Sequence, residues 1–355
     1  MSRPTQTAVA RRALLSRLFP SGVPTLWCPL VTHYDREGAI DEHRMAAHLR
    51  HLSPHIKGFL IPGSTGDGWE LTDDETRRLL EMVLKQVGKL KLHLLIGVLK
   101  TDPAEMRRAF SDLVVSHLKT RFEARSPEKS ASELAATCIR GFTFCPPRGS
   151  DLAQDRIKAE LCSLLEVGMP TAIYQLPQIT QNEMAPELVA DLARRFPNFI
   201  LFKDTSGADH VALSGQKLEN VFLVRGAEGD YVRWLKAARG PYDGFLLSTA
   251  NCFAREFHQI VEDIAGRRVK AAREMSERLT ACINEVFGIV TGLPQGNPFA
   301  NANKAIDHFF AHGPRADAAP PPRLHAGVFL PPEVIRATGN ALSRHGLMPG
   351  KGYLE

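Results

Sequence analysis

Lys203 closes the apolar run Phe199-Ile-Leu-Phe202 and is followed by Asp204-Thr-Ser-Gly207. A confined, partly dry strand end disfavours an ammonium cation. A neutral amine there can attack a ketone and form a Schiff base. The protonated imine is then an electron sink for carbon–carbon bond cleavage or formation. The same lysine could instead pair with Asp204 or reach out to solvent. Tyr174 closes a second apolar run, Thr171 to Tyr174. Its phenol could shuttle the protons that imine formation requires, or it could be a core tyrosine. After a third run comes Gly63-Ser64-Thr65-Gly66-Asp67. A tight turn with free backbone N–H groups and two hydroxyls suits a carboxylate. No Gly-Lys-Ser/Thr follows, so it is not a nucleotide-binding Walker loop. Finally, Pro146-Pro147-Arg148 follows a fourth run. A guanidinium on a stiffened turn could grip a distal carboxylate or phosphate in bidentate fashion.

These positions need elements to carry them. Short apolar runs alternate with amphipathic stretches: Val23–Val31, Ile56–Ile61, Leu92–Val98, Phe142–Cys145, Thr171–Tyr174, Phe199–Phe202, Val221–Val224 and Gly244–Leu247 read as strands. Between them, Thr72 to Glu75 reads as a capping box. Pro103 and Pro186 open helices where a missing N–H costs little, and Asp151 is expected to cap the helix through Leu165. Strands alternating with helices imply a parallel sheet. Eight such units predict an α/β fold, a (β/α)8 TIM barrel, with additional C-terminal helices over 253–290 and 297–311. The expected organisation is an N-terminal extension (1–22), the barrel (23–252) with a polar surface insertion near 119–136, and a C-terminal helical region with an irregular tail (253–355). Catalytic groups of a parallel barrel sit at the C-terminal strand ends. That is where Lys203, Tyr174 and the Gly63 turn fall.

Composition narrows the class. The chain has 355 residues, 44% hydrophobic and 23% charged, which is enough apolar material for a large core without staples. A net charge of +5 is too small for a nucleic-acid footprint. No run of ~18 apolar residues predicts a membrane span. Six scattered cysteines without a C-x-x-C read as free thiols in a reducing, cytoplasmic setting. Arg3, Arg11, Arg12 and Arg17 precede the first acidic residue, Asp35. They read as part of an extra N-terminal helix rather than a targeting segment. His43, His48, His51 and His55 read as a solvated helix face, not a metal site, since Pro54 breaks their spacing and no acidic cluster joins them. Arg344, His345 and Lys351 read as plain surface.

The three strand-end segments together resemble the dihydrodipicolinate synthase / N-acetylneuraminate lyase family of class I aldolases. Gly63-Ser-Thr-Gly-Asp67 is similar to its Gly-Thr-Thr-Gly-Glu signature, Tyr174-Gln-Leu-Pro177 to its Tyr-Asn-x-Pro segment, and Lys203-Asp-Thr-Ser-Gly207 to its Schiff-base segment. Gly226-Ala-Glu-Gly229 and Ser248-Thr-Ala-Asn251 also have counterparts, so the likeness runs from about Val23 to Phe310. It implies a pyruvate-type 2-oxo acid, an aldehyde or sugar-acid partner, a homo-oligomer, and neither metal nor organic cofactor. Lys203 would form the imine and Tyr174 would move protons. Ser64 and Thr65, on the turn from Gly63, would hold the carboxylate, and the Leu246 carbonyl would face the site. The family's synthases carry a tyrosine pair after strand four and an arginine after Tyr-Asn-x-Pro. Here Cys145-Pro-Pro-Arg148 and Gln178-Ile179 stand there, and Asp67 replaces a Glu. The departures imply a second substrate other than that of lysine biosynthesis. A deoxy-keto sugar acid dehydratase, or a barrel that binds a metabolite without turning it over, would carry the same set.

Overall fold

The computed structural model describes residues 4–355, so Arg3 lies outside the described residues. Eight strands, β1 (Leu26–Cys28), β2 (Gly58–Ile61), β3 (His93–Val98), β4 (Ile139–Phe144), β5 (Thr171–Gln175), β6 (Phe199–Asp204), β7 (Phe222–Arg225) and β8 (Gly244–Leu246), close a barrel in chain order. β1 and β2 pair in parallel, as do the successive strands from β3 to β8, as expected of a (β/α)8 fold.

Strand boundaries depart from the apolar runs for identifiable reasons. β1 is shorter than Val23–Val31, because Pro24 and Pro29 flank it and a proline supplies no ladder N–H. β4 starts at Ile139, before Phe142. The charge of Arg140 disguises that start, yet its side chain is buried and donates to His93 Nδ1 (2.9 Å) and the Thr137 carbonyl (2.6 Å). β6 extends through Lys203 and Asp204, so the lysine lies inside the strand.

The capping box at Thr72 and Glu75 forms, and Asp102 caps the helix that Pro103 opens. Asp151 does not cap its helix. The element begins at Gln154 after Ala153, which makes no side-chain capping bond. The expected helix 253–290 is two, Ala254–Ala265 and Val269–Val290, broken where Arg267 adopts a φ of 60°. The polar insertion folds too. Ser126 caps a helix, Pro127–Ala135, that buries Ala131 and Leu134.

The chain divides into two compact units. One comprises the residues up to Thr25, His93–Ala227 and Arg239–Leu246, and so holds β3 to β8. In it the N-terminal helix Gln6–Leu18 packs on β6 and on the helices Pro127–Ala135 and Pro186–Arg195. Arg11 of that helix is fully buried. Its guanidinium donates to the carbonyls of Phe199 (2.6 Å), Phe196 (2.7 Å), Ala193 and Glu219. Burial pulls its pKa down to about 10, against the pull of Glu219. The five fixed donors of a guanidinium can serve all four carbonyls at once, one more than the three donors of a lysine can reach.

The other unit comprises Leu26–Leu92, Glu228–Ala238 and Leu247–Glu355. Its helix Pro298–His312 is buried along nearly its whole length, with Lys304, Asp307 and His308 inside. Asp307 accepts from Arg44 (3.0 Å) and from the Tyr353 hydroxyl (3.1 Å). His33 Nε2 lies 3.0 Å from His48 Nδ1, and His48 Nε2 donates to the Asn251 carbonyl (2.8 Å). His48 is therefore a buried structural residue, not part of a solvated face as its spacing suggested. The tail is irregular but docked: the Tyr353 ring stacks on His51 at 4.8 Å. Arg344 and His345 pair with Glu285 rather than pointing freely to solvent.

Two outcomes follow. Replacing Arg11 with Ala strands four carbonyls and should cost about 3 kcal/mol, lowering the thermal midpoint by roughly 4 °C. Arg11→Lys should lose less. A shift below about 1 °C would show the N-terminal helix to be peripheral. The second outcome concerns acid. His33 is held well below the usual imidazole range by burial first and by Arg44 second, while Asp307 pulls the other way. Burial likewise holds His93 and His308 at about 4. The unfolded chain takes up these protons near pH ~6.5, and the folded chain refuses them. Their contribution to stability is complete above ~6.5 and is lost progressively as pH falls below it. Calorimetry at about pH 7.5 and 5 should show a drop of roughly 2–3 °C per histidine. His33→Gln should reduce that drop; an unchanged midpoint would contradict it.

Candidate active site

Neighbouring strands bring two of the sequence-selected residues together. Tyr174 of β5 pairs in register with Lys203 of β6, and Lys203 with Val224 of β7, which in turn pairs with Gly244 of β8. Side chains two apart share a face. One face of this sheet therefore carries Tyr174, Lys203 and, two residues past Gly244, Leu246. Cys145 joins the same face, since Phe144 pairs with Ile173. Lys203 and Tyr174 are both buried, and the lysine Nζ lies 3.8 Å from the centroid of the Tyr174 ring.

Asp204 points to the opposite face of β6. Its carboxylate accepts from the Ser206 N–H (2.9 Å) and lies 3.4 Å from the Tyr242 hydroxyl. That directs it away from the partnership with Lys203 that the sequence left open. Gly226 provides room for the lysine. A Cβ there would stand 2.9 Å from Lys203 Cε and 2.2 Å from Thr205 Oγ1. Burial pushes the Cys145 thiol up, against the pull of the Lys203 charge, so it stays protonated beside the amine.

Arg148 stands apart from this face. Its side chain is exposed on the loop after β4, while Pro146 and Pro147 are buried. The loop itself is fixed: the Asn182 amide donates to the carbonyls of Pro147 (2.8 Å) and Gly149 (3.0 Å). Asn182 carried no signal in the sequence. Gln178, standing where the synthases have arginine, donates to the Thr205 carbonyl at 3.3 Å.

In the other unit the Gly63–Asp67 turn forms as a single 3-10 turn, with Ser64 and Thr65 buried. The Gly63 carbonyl accepts from both the Gly66 and Gly68 N–H groups (3.0 Å each). Gly66 must be glycine, since a Cβ would meet the Leu30 carbonyl at 2.3 Å. Ser64 Oγ accepts from Trp69 Nε1 (2.8 Å). Asp67, left-handed at φ 58°, anchors the turn. Its carboxylate accepts from Lys304 (2.8 Å) and the Tyr34 hydroxyl (3.1 Å).

The loop after β8 has its own hub. Asn251 accepts from the Val31 N–H (2.9 Å) and donates to the carbonyls of Pro29 (2.9 Å) and Ser248 (2.8 Å). Glu228 accepts from Ser248 Oγ, the Thr249 N–H, Thr249 Oγ1 and the Tyr231 hydroxyl at 2.8–3.1 Å. Burial raises its pKa while these donors lower it. The sequence marked Ser248–Asn251 as the segment after the eighth strand, and Gly226–Gly229 only through the family likeness.

His33, His48 and Asp307 hold donor atoms within 4.8 Å of one another. The set does not suit a cation. Asp307 already accepts from Arg44, His48 Nε2 is committed to a carbonyl, and Arg44 and Lys304 bring positive charge to the cluster.

Residues 153–295 match the family model described as the dihydrodipicolinate synthetase family. Curated relatives include 4-hydroxy-tetrahydrodipicolinate synthase of Erythrobacter litoralis, 25% identical over 74% of this chain and 81% of that one. The corresponding protein of Symbiobacterium thermophilum is 26% identical over 75% and 87%. Among solved structures, a prophage protein of the dihydrodipicolinic acid synthase family from E. coli K12, in complex with pyruvate, shares the fold at TM-score 0.69. It is 17% identical, over 91% of this chain and 99% of that one. A variant of 2-keto-3-deoxygluconate aldolase from Sulfolobus solfataricus does so at TM-score 0.66, with 17% identity over 90% and 96%. With the barrel and its strand-end lysine in place, the chain is similar to the dihydrodipicolinate synthetase family, through residues 153–295 and through relatives of about one-quarter identity.

Proposed function

We propose that the protein is a class I lyase that forms an imine between Lys203 and a 2-oxo acid of the pyruvate type. One observation carries the reading: a buried lysine in β6, in register with a buried tyrosine in β5 and 3.8 Å from its ring. The Lys203 amine adds to the ketone carbon, and the carbinolamine loses water to give a protonated imine. Tyr174 relays the proton that the amine releases and the departing hydroxyl takes up. In synthesis the imine loses a proton from the adjacent carbon and the resulting enamine attacks the aldehyde carbonyl; in cleavage the imine takes up the electron pair of the breaking carbon–carbon bond, which leaves the enamine and releases the aldehyde. The lysine itself supplies the electron sink, so the chemistry calls for no metal or organic cofactor. The Gly63–Thr65 turn, with Ser64 and Thr65, the Leu246 carbonyl and Arg148 remain proposed substrate contacts.

The second substrate is proposed to be an aldehyde or sugar acid other than that of lysine biosynthesis. The Cys145–Arg148 loop without tyrosines and the Gln178 amide support this. The name of the Sulfolobus relative, a 2-keto-3-deoxygluconate aldolase, motivates the sugar acid. The same enamine can expel a leaving group from the β-carbon, so a dehydratase would use the same lysine. The six free cysteines fit a cytoplasmic enzyme, the family likeness suggests a homo-oligomer, and the missing tyrosine pair after strand four supports sites complete in each chain. Among the described residues, no helix is long and apolar enough to cross a membrane.

Pyruvate with borohydride should leave a reduced pyruvyl adduct on Lys203, visible by mass spectrometry and absent in Lys203→Arg. Tyr174→Phe should slow adduct formation by about 10²–10⁴-fold. Gly226→Ala, which crowds Lys203 Cε, should also cut the rate by at least about tenfold. Failure to label Lys203 would remove pyruvate as the donor. A screen of aldehydes and keto-sugar acids against the enamine then identifies the partner. With that partner, Arg148→Ala should raise KM at least about tenfold and leave adduct formation intact, as expected for losing a charge-assisted contact of roughly 1.5–3 kcal/mol. A change under about twofold would remove Arg148 from the distal anion.

A further inference from the structure

A cavity of about 390 Å³ lies outside this chemistry, in the unit that holds the C-terminal helices. Its volume falls in the range of small-molecule sites. The tail segment Gly346–Lys351 forms one wall. Others come from His51 and His55 near the end of helix Glu42–Leu52, from Met275 and Arg278 on Val269–Val290, and from Phe310. The lining divides by chemistry. Phe310, Met275 and Leu347 offer apolar surface. Arg278 and Lys351 offer two cations that pair with no carboxylate among the described residues. The third cation, Arg255, is already committed to Glu256, at 3.0 and 2.7 Å.

The histidines add no negative charge. Burial, with His48 as the next cause, holds His51 below the ordinary imidazole range, and Asp307 and Glu256 pull against it. Burial and His258 do the same to His55, against Glu256. The uncompensated charge of the lining is thus positive and lies beside an aromatic ring.

We infer that this cavity binds a small amphipathic anion, with its carboxylate or phosphate head on Arg278 and Lys351 and its apolar body against Phe310 and Met275. The wall that such a ligand touches is not passive. Two residues past Lys351, Tyr353 stacks on His51 (4.8 Å) and His48 (5.5 Å) and donates to Asp307 (3.1 Å). His48 in turn donates to the Asn251 carbonyl (2.8 Å). A ligand that favours the seated tail therefore also favours the held conformation of the loop after β8, because ligands shift equilibria by their differential affinity.

The test needs no activity and stands apart from the imine reading. Phenyl phosphate and benzoate are titrated into the full-length protein by calorimetry, with inorganic phosphate and benzyl alcohol as controls for head and body. Either aromatic anion should bind and raise the thermal midpoint, and binding should weaken with added salt. Preference for one of them identifies the head. Arg278→Glu with Lys351→Glu changes two exposed residues and should weaken binding at least about tenfold. Lys270→Glu, on the same helix with a 93% exposed side chain, should leave it unchanged. Absence of binding at about 5 mM, equal binding by the double variant, or inorganic phosphate binding as tightly as phenyl phosphate would each overturn the assignment.

Discussion

A parallel strand buried on both faces has no water to offer a charged side chain, so each charge in it must have a partner or carry out chemistry. The strands of this barrel contain several, and the constraint sorts them. Arg140 in β4 spends its guanidinium on His93 and backbone carbonyls. Arg225, the last residue of β7, binds Asp209 through two nitrogens (2.9 and 3.0 Å) and the Ala227 carbonyl (2.7 Å). Asp204 takes the Ser206 N–H on the outer face of β6. Lys203 is placed differently. It lies on the inner face with its Nζ over an aromatic ring, and no carboxylate shares its register position on β5 or β7. A cation over a π face is attracted by the quadrupole of the ring, so Tyr174 helps to place the amine.

The same constraint explains how the surrounding loops are held. Around Gly226, the Asp209–Arg225–Tyr242 group is tied by a 2.6 Å bond from the tyrosine hydroxyl, and the Gly226 N–H donates to the Asp204 carbonyl at 2.6 Å. Gly226 cannot yield without disturbing this group, so the space beside Lys203 Cε is fixed by hydrogen bonds and not by soft apolar packing. In the other unit, Asp67 with Lys304, Asn251 with Pro29 and Val31, and Glu228 with Ser248 and Thr249 perform the same task for their loops. Removing any one partner leaves a buried polar group unpaired, and that penalty keeps each loop in a single conformation.

The architecture was legible because parallel strands announce themselves as apolar runs, and eight of them alternate with helical stretches. Lys203 and Tyr174 were legible because each ends such a run. The misreadings have a common source. Arg11 reads as one of several N-terminal positive charges, and only the converging carbonyls of Phe199, Phe196, Ala193 and Glu219 reveal it as a buried anchor. His48 sits at a polar position of its helix until Asp307 and Tyr353 arrive from elsewhere in the chain to bury it. Lys304, Asp307 and His308 make their helix look amphipathic, although nearly every face of it is inside. Periodicity separates apolar from polar residues, and it cannot tell a solvated charge from one whose partner lies 200 residues away.

The departures from the synthase pattern acquire a physical reading on this scaffold. Where the synthases place tyrosines after strand four, this chain has two buried prolines and an exposed arginine. The Asn182 amide clamps that loop at two carbonyls, and the Gly149 N–H donates to the Thr180 carbonyl at 2.9 Å. A loop this constrained loses little entropy when it meets a ligand. A guanidinium on it differs in charge and donor count from an aromatic hydroxyl, and it stands on the loop and not on the β5–β6 pair. Barrels of this kind separate the strand ends, which hold the reacting atoms, from the loops, which choose the substrate. Here β5 and β6 carry the tyrosine and the lysine in register, and the loop after β4 is a stiff edge with an exposed arginine. Because Asn182 and Thr180 hold this loop from the segment that follows β5, its shape is set by hydrogen bonds between two neighbouring loops and by the two prolines within it.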